Sequence, residues 1–496
     1  MNDVRLRFAG MFGLLVRFLS LFTGLVFTTI VTRNLTVDEF GQWSIISSLL
    51  VYGIYIPSIL PFWYTRYTAR GVTIAKTSII STLLISFLGI LIYLIAGKIF
   101  LPEFEKFFPI LIFATFQVIS TSLIISLSSI ANGIKPEYTS YGFIIFEITK
   151  VIIAIILVYL LGVDLLTVIL ITIVAEIVHV GVLAILIRKE IRKKTDFKNI
   201  IKIFKVSWLA LYTKIGGLIF LTDVLVANFL NLSYEFIAIF KIGFIFAVIA
   251  EYGSYIAYPL YIKLLRGGKS EDIQVSTKLM FTFSIPISIG IFLLSKPLLF
   301  LLNPEYIIAE KIVQILIAYY FSSTIIALFF NIAQGMDTVD IKPNIRFKDF
   351  LHSALFKFPT LNIIRMSMYI AGLIVLIFVT DPLNLSPEKF GEYWAAVLLI
   401  TNLPIIIYSV RLTKKVVDFS FPLKNIGKYV IASSIMGIFI WYSTSLLEFN
   451  SHVMIFAPQL LMIILPSGLL YFGILFFIDK DTKHLINDTI SFIRNK

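Results

Sequence analysis

Ionisable side chains that lie inside long apolar runs are the residues of this sequence best placed to do chemistry. Arg17, Lys150, Lys214 and Lys241 are basic, and Glu147, Glu176, His179, Asp223 and Glu251 are acidic or titratable. A charge near the centre of a bilayer costs at least about 2.5–3.5 kcal/mol, so each one marks a functional hypothesis. Cys is absent and His occurs only four times. This excludes disulfides and thiolate catalysis and gives no reason to expect a metal site.

Arg17 and Lys214 are two basic residues predicted to lie at matching depths from the cytoplasmic side. Each is about eight or nine residues inside its apolar run, or roughly 13 Å at a rise of 1.5 Å per residue. They also take near-equivalent positions in two halves of the chain. Together they could flank a phosphate or pyrophosphate, which Arg binds through a planar fork and Lys as a point charge. The alternative is that each neutralises a neighbouring carboxylate, such as Glu147 or Glu251.

Two further pairs of opposite charge are close in the predicted arrangement. Glu147 and Lys150 are three residues apart on one helix, which favours an internal ion pair. Asp223 and Lys241 both lie toward the outer ends of adjacent runs and are expected to pair in the same way. Either basic residue could otherwise contribute to an anion site.

Glu176 and His179 share one helical face near the middle of their run. They could relay protons, because His titrates near neutral pH, or they could form a structural hydrogen-bonded pair. Glu176 and Glu251 are also candidates for coupling to a proton or sodium gradient. The last four apolar runs contain no comparable mid-span charge.

The elements that must position these residues are membrane-spanning helices. Of 496 residues, 58% are apolar and 14% charged, which is too apolar for a soluble domain. The apolar runs are continuous rather than alternating, which predicts an all-α integral membrane protein and excludes a barrel. The first run is too long for the core of a signal peptide. About fourteen spans are predicted, at 8–32, 42–65, 77–97, 109–131, 141–162, 165–187, 206–230, 236–260, 276–300, 309–332, 361–380, 392–410, 427–447 and 453–478.

The distribution of Lys and Arg predicts the orientation of these spans. The net charge is +13, and 32 of the 42 basic residues fall at the two termini and in the loops on one side, against 6 on the other. Basic residues collect in cytoplasmic loops, so both termini are expected to be cytoplasmic. The predicted outer loops are too short to fold as domains.

The chain also carries an internal repeat. The string 34–40 after the first span resembles 231–236 after the seventh, and Ala131–Ile134 resembles Ala333–Met336. An even number of spans per half predicts parallel lobes. The predicted domains are an N-terminal six-helix lobe (1–187), a basic cytoplasmic linker (188–205), a C-terminal six-helix lobe (206–410) and two extra helices with a cytoplasmic tail (411–496). The linker is either a solvated topology signal or a surface that attracts anionic lipids.

Several short segments resemble polysaccharide-transport flippases of the O-antigen or oligosaccharide-lipid type. These belong to the multidrug/oligosaccharidyl-lipid/polysaccharide exporter superfamily. The segment 13–41 contains Thr-Arg-Asn-Leu at 32–35 and Asp-Glu-Phe-Gly at 38–41 and resembles the family's first helix and loop. Asp223 with the loop 231–236 resembles the start of the second lobe, and Tyr258–Leu260 is also similar. The likeness extends over the whole fourteen-helix plan.

The resemblance implies two six-helix lobes around a central cavity and the flipping of a polyprenyl-linked sugar to the outer leaflet of the cell membrane. By this resemblance, Arg17 is expected to be a basic residue that lines the cavity, and the internal repeat extends the same expectation to Lys214. The expectation is weaker for Lys150 and Lys241. For Asp223 it leaves substrate binding, ion coupling and a structural role open. No catalytic residue, cofactor or nucleic-acid partner is implied. The expected partners are the lipid-linked glycan, membrane lipids and glycosyltransferases of the same pathway.

Three other functions remain as alternatives. A multidrug exporter of the same superfamily would favour acidic and aromatic residues in its cavity. A peptidoglycan-precursor flippase differs only in substrate. A membrane glycosyltransferase or glycan ligase would need a sizeable outer loop bearing catalytic residues, whereas an enzyme is not expected here.

Overall fold

The computed structural model describes most of the chain as long helices. It covers residues 49–100, 104–161, 164–193, 211–220, 234–302, 304–339, 347–380, 385–417, 420–449 and 453–483, with isolated residues at 15–16, 19–20, 22–24, 27, 46, 207, 222–223, 226–227, 230 and 232. No strand occurs in these segments. Ten of the helices in them are long and apolar enough to cross a membrane, or eleven if one bent pair counts as a span. The protein is therefore an all-helical, multi-pass membrane protein.

The chain divides into two compact units, with the division between Tyr212 and Thr213 for the described residues. We call them the N-terminal and C-terminal units. The N-terminal unit contains α1 (Pro61–Ala69), α2 (Ala75–Phe100), α3 (Phe104–Ile134), α4 (Glu137–Leu161), α5 (Leu165–Leu186) and α6 (Arg188–Ile191). A short helix, α7 (Leu211–Phe220), crosses the division.

The C-terminal unit is the larger of the two. It contains α8 (Tyr234–Ala247), α9 (Ser254–Leu265), α10 (Ser270–Leu302), α11 (Glu310–Met336), α12 (Phe347–Leu351), α13 (Ala354–Thr380), α14 (Pro387–Lys414), α15 (Leu423–Ser445) and α16 (Val453–Ile478). Eleven of the fourteen predicted spans correspond to α2–α5, the α8–α9 pair, α10, α11 and α13–α16. The other three, 8–32, 42–65 and 206–230, lie wholly or partly outside the described residues.

Most observed helices extend beyond the predicted apolar runs, and in one of them a distant carboxylate caps the added turns. The clearest case is α13, predicted to begin at residue 361 and observed to begin at Ala354. Asp337, just after α11, accepts hydrogen bonds through Oδ2 from the N–H groups of Ala354 (2.7 Å) and Leu355 (3.3 Å). These N–H groups have no partner within the helix, so the carboxylate stabilises the added turns.

The predicted span 236–260 is a broken helix. A 3₁₀ segment, Val248–Gly253, separates α8 from α9, and the two parts are bent by 43°. Gly253 lies so close to Ser284 of α10 that a Cβ at this position would overlap the hydroxyl. The bend therefore occurs where the chain packs tightly against α10, and Pro259 lies beyond it inside α9.

The internal repeat is visible in the way one helix ends in each unit. Gly71 follows α1 with φ of 84°, and Gly267 follows α9 with φ of 92°. The N–H of the next residue, Val72 or Gly268, donates to the carbonyl five residues back, at 3.0 Å in both cases. This left-handed termination favours glycine.

A second glycine in each unit packs against the same place on that helix. A Cβ at Gly133 would lie 2.7 Å from Cβ of Thr68, and one at Gly335 would lie 2.8 Å from Cβ of Leu264. Thr68 and Leu264 each precede the positive-φ glycine by three residues. The similar strings at 131–134 and 333–336 therefore make equivalent helix crossings.

The last two helices pack on α10. The Tyr471 hydroxyl of α16 donates to the Thr282 carbonyl at 2.6 Å. Beyond α16, Asp481 pairs with Lys278 at 2.6 Å, and Asp479 pairs with Lys428 of α15 at 3.1 Å. Both helices are thus part of the C-terminal unit.

Candidate functional site: charged side chains among the membrane helices

Glu147 is a buried charge of the N-terminal unit whose carboxylate has several hydrogen-bond donors. It is 3% exposed and lies in the middle of α4. Its carboxylate accepts from Ser20 Oγ at 3.1 Å and Thr23 Oγ1 at 2.5 Å, and Lys150 Nζ lies 2.9 Å away. Three donors, one of them charged, compensate the burial of this carboxylate.

Lys150 is enclosed by Glu147 and aromatic rings. Its Nζ lies 5.3 Å from the ring centre of Phe27 and 5.1 Å from that of Phe146. An ammonium group is attracted by both the carboxylate and the ring faces. Lys150 is therefore neutralised within the N-terminal unit, as the ion-pair alternative predicts.

Glu176 and His179 contact different helices although they share a face of α5. Glu176 accepts hydrogen bonds from Ser120 Oγ and from Thr121 Oγ1 (2.7 Å), both on α3. His179 packs against the rings of Phe143 and Phe146 on α4, and its buried Nε2 has no hydrogen-bond partner in the described part of the chain. No hydrogen bond joins Glu176 to His179 among these residues, so the geometry gives neither a direct relay nor a bonded pair.

Asp223 forms a compact polar cluster in the C-terminal unit. The residue is 2% exposed and lies 2.9 Å from Lys241 Nζ of α8. The Tyr369 hydroxyl of α13 donates to Asp223 Oδ2 at 3.1 Å, and Trp394 Nε1 of α14 donates to that hydroxyl at 2.7 Å. The cluster ties three helices to residue 223.

Lys241 also lies close to the aromatic rings beside this cluster. Its Nζ lies 5.1 Å from the ring centre of Phe244 and 5.7 Å from that of Phe240. Phe240 in turn stacks on Trp394 with ring centres 4.0 Å apart. The charge of Lys241, like that of Lys150, is therefore paired with a carboxylate.

Lys214 has a different environment. It lies on α7 and is exposed, as are Leu211 and Gly217 on the same helical face. Within the described residues it has neither a carboxylate within salt-bridge distance nor a hydrogen-bond partner. Its charge remains uncompensated by any residue whose position is known. Arg17, its expected counterpart, lies outside the described residues.

Arg365 is a mid-helix charge that the sequence reasoning missed. It stands close to the start of the predicted span 361–380, so it was expected to flank the membrane and the last four spans were expected to lack such a charge. That expectation is wrong, because α13 begins seven residues earlier and Arg365 is the twelfth of its 27 residues. The earlier helix start depends on the capping carboxylate of Asp337, seventeen residues before Ala354, and the apolar pattern does not reveal this contact.

Neutral amides, rather than carboxylates, hold the Arg365 guanidinium. Nη1 donates to Oδ1 of Asn402 at 3.0 Å, and Nη2 donates to Oδ1 of Asn362 at 2.7 Å. Glu251 lies in the 3₁₀ segment Val248–Gly253. Neither residue forms a salt bridge with any described residue. Among the described residues of the C-terminal unit, Lys214 and Arg365 are therefore basic side chains in the interior of helices without a carboxylate within salt-bridge distance.

Comparisons of sequence identify no relative. No family model matches the chain, and no curated protein matches it either. The relationship to known proteins therefore rests on structure.

Comparisons of structure find membrane transporters. A mutant of the Vibrio cholerae MATE transporter VcmN matches with a TM-score of 0.61 and 14% identity over 83% of this chain and 95% of that chain. A MOP superfamily transporter from Pyrococcus furiosus, whose binding pocket has reversed polarity, matches with a TM-score of 0.54 and 13% identity over 83% and 95%. The lipid II flippase MurJ in an inward closed conformation matches with a TM-score of 0.51 and 17% identity over 95% and 99%.

These identities are low, so the likeness establishes the fold alone. Its neighbours are transporters and a flippase rather than enzymes. The chain has the fold that the MATE transporters and MurJ share, which is the fold of MOP superfamily transporters.

Proposed function

We propose that this protein is a transporter that flips a polyprenyl-(pyro)phosphate-linked oligosaccharide from the cytoplasmic to the outer leaflet of the cell membrane. The proposal includes fourteen spans with both termini in the cytoplasm. Its support comes from the transporter fold and from the chemistry of the charges inside the helices. The short segments that resemble polysaccharide-transport flippases agree with it.

The observation that carries the proposal is the pair of basic residues without a direct carboxylate partner, Lys214 and Arg365. An unpaired charge in a membrane helix is costly, so it is retained where it meets an oppositely charged ligand. The phosphate groups of a lipid-linked sugar supply such a ligand, and its prenyl tail can remain in the bilayer. Lys150 and Lys241 are paired and have structural roles in this proposal.

A multidrug exporter of the same fold is the first alternative. A cationic drug would be attracted by acidic side chains without cationic partners. Glu147 and Asp223 are each paired with a lysine, whereas Glu176 accepts from hydroxyl groups and Glu251 has no salt bridge among the described residues. In the C-terminal unit, the basic side chains of Lys214 and Arg365 are at least partly exposed and could attract an anion. The polarity of this unit therefore favours an anionic cargo.

A peptidoglycan-precursor flippase is the second candidate, favoured by one specific observation. The match to MurJ covers 95% of this chain, whereas the match to VcmN covers 83%, although VcmN has the higher TM-score. The greater coverage reflects a similar chain length. Lipid II is also an anionic lipid-linked glycan, so only substrate tests separate the two.

The test is a flipping assay with the full chain in liposomes. Fluorescent lipid-linked oligosaccharide, fluorescent lipid II and a cationic drug are supplied in parallel, and leaflet exchange is followed by quenching from outside. We expect exchange of the lipid-linked oligosaccharide without formation or cleavage of a glycosidic bond. Transport of the drug alone, or a covalent change in the glycan, would refute the proposal.

A matched pair of substitutions tests the charge at Lys214. Lys214→Met retains most of the apolar stem and removes the ammonium group, whereas Lys214→Arg retains the charge. We expect a loss of exchange of tenfold or more in the first and little change in the second. Equal activity in both variants would show that this charge has no part in transport.

A further inference from the structure

A stripe of exposed residues runs along α14 and changes from apolar to basic toward the end of the helix. Its apolar part consists of residues three or four apart, which share one side of the helix: Ile400, Leu403, Ile407 and Tyr408. At the same spacing the stripe continues through exposed Arg411, Lys414 and Lys415. A helix that leaves the hydrocarbon core shows this order of apolar, aromatic and basic residues. The basic residues therefore lie at the level of the lipid head groups.

The start of α15 has the same arrangement. Leu423 is 71% exposed, and its neighbour Lys424 is exposed as well. Farther along the helix the exposed side is apolar, with Ile431, Ile435 and Ile438 three or four residues apart. This helix therefore also combines an exposed base at its end with an apolar stripe.

Phe329 of α11 holds these two helix ends at one place. Thr413 Oγ1, near the end of α14, donates to the Phe329 carbonyl at 3.3 Å. Phe421, two residues before α15, stacks on the Phe329 ring with ring centres 6.1 Å apart. Between them, Ser420 accepts a hydrogen bond from Gln274 of α10 at 2.8 Å. The basic ends of α14 and α15 are therefore fixed next to each other on one surface of the C-terminal unit.

The bases of this surface are not compensated by any described carboxylate. We call four exposed residues the basic rim: Arg411, Lys414, Lys415 and Lys424. None of the four is within salt-bridge distance of a carboxylate in the described part of the chain, whereas Lys428, one turn into α15, pairs with Asp479. The whole segment 411–428 contains one acidic residue, Asp418, which lies outside the described residues. The rim therefore has a net positive charge.

We propose that the basic rim and the two apolar stripes bind an anionic phospholipid of the surrounding bilayer. The lipid phosphate lies at the rim, and the acyl chains lie along the exposed sides of α14 and α15. Charge complementarity identifies this occupant, because a zwitterionic lipid brings a cation of its own to the rim. The apolar stripes distinguish a lipid from a soluble anion, which would leave them uncovered. The site does not rest on the proposed function, since any bilayer lipid has access to an exposed helix side.

The first experiment compares head groups by titration calorimetry on the purified full chain in a nonionic detergent. The probes are dihexanoyl phosphatidylglycerol, dihexanoyl phosphatidylcholine and glycerophosphoglycerol, which is the anionic head group without acyl chains. We expect the anionic lipid to bind about tenfold or more tightly than either of the others. Equal affinities for the two lipids would overturn the role of charge. Equal affinities for phosphatidylglycerol and its free head group would show a site for soluble anions and overturn the lipid site.

A double substitution tests the rim itself. Each base near a membrane surface strengthens the binding of anionic lipid about fivefold. We therefore expect Arg411→Gln with Lys414→Gln to weaken phosphatidylglycerol binding by about tenfold or more and to leave phosphatidylcholine binding unchanged. Arg411→Lys with Lys414→Arg keeps both charges and should retain the affinity. Full affinity in the glutamine variant would refute the site.

The matched control removes two charges elsewhere. Lys76, in the first turn of α2, and Lys269, directly before α10, are exposed lysines outside the rim. Lys76→Gln with Lys269→Gln should bind phosphatidylglycerol as the original chain does. An equal loss in this variant would mean that the lipid responds to the total charge of the protein, and the specific surface would be wrong.

A second experiment locates the lipid directly. A photoactivatable phosphatidylglycerol with the reactive group in its acyl chain is reconstituted with the full chain in liposomes, and labelled peptides are identified by mass spectrometry. We expect labelling in the exposed stripes, around residues 400–408 and 431–438, and weaker labelling there in the Arg411→Gln, Lys414→Gln variant. Labelling that is spread evenly over all lipid-facing helices in both proteins would overturn the proposal.

Discussion

Gly216 of α7 lies against Asn362 of α13, and this contact positions the amide that binds Arg365. A side chain at residue 216 would displace the amide, because a Cβ would overlap its nitrogen. The absence of a side chain at residue 216 therefore determines both how closely α7 packs against α13 and how the Arg365 guanidinium is oriented. The relationship is specific to residue 216, since a Cβ at Gly217 would meet no atom of the described residues within 4 Å.

We therefore predict opposite effects of Gly216→Ala and Gly217→Ala. Both changes raise helix propensity by about 1 kcal/mol, so the difference between them isolates the contact with Asn362. Gly216→Ala should destabilise the protein by about 1–3 kcal/mol through overpacking. Gly217→Ala should be neutral or stabilising. Thermal unfolding in detergent measures the comparison, and equal melting temperatures would contradict it.

A double-mutant cycle tests the buried pair of Glu147 and Lys150. Glu147→Gln leaves the ammonium group of Lys150 buried without a carboxylate, and such a change costs about 3–5 kcal/mol. Lys150→Met should be similarly harmful because it leaves the carboxylate with hydroxyl donors alone. The double variant should recover much of the lost stability. Additive losses in thermal unfolding would mean that the two side chains do not depend on each other.

The equivalent glycine crossings predict parallel effects in the two units. Gly133→Ala and Gly335→Ala should each lower stability by about 1–3 kcal/mol, because the new methyl group meets backbone or Cβ atoms that cannot move away. Gly181→Ala and Gly427→Ala are the matched controls, with nothing within 4 Å of the added carbon. Unfolding measurements that do not distinguish the two sets would argue against the close crossings.

The attachment of α16 should depend on pH through Asp479. Burial alone would raise the pKa of this carboxyl, but hydrogen bonds from Thr482 and Lys428 outweigh it and hold the pKa below its ordinary value of 3.8. Because the pKa of Asp479 is lowered in the folded state, the ionised carboxylate stabilises the protein at pH values above 3.8. This stabilisation is lost as the pH falls through the pKa of the folded state. Asp479→Asn should therefore be less stable than the original chain at pH 7.

The pH profile supplies the control for this prediction. The difference in melting temperature between the two proteins should persist from pH 7 to about pH 5 and narrow below about pH 4. A difference that stays constant down to pH 3 would assign the effect to shape rather than to charge.

The periodic apolar runs and the i, i+3 spacing of Glu147 and Lys150 were sufficient to predict eleven helices and one ion pair. Both follow from local physics, since a bilayer requires about 20 apolar residues and one helical turn brings such neighbours together. The similar glycine strings could likewise be recognised in the sequence. Their role could not, because a glycine is informative only when the helix that packs on it is known.

The partners of Glu176, His179 and Arg365 were decided by tertiary structure. Glu176 and His179 share one helical face, yet they contact α3 and α4 respectively, because neighbouring helices approach that face from two directions. Arg365 was hidden by a helix start that depends on Asp337, seventeen residues earlier in the chain. Sequence determines which segments enter the membrane, because hydropathy is a property of each residue. Which charge remains uncompensated depends on contacts between distant helices, and no single segment contains that information.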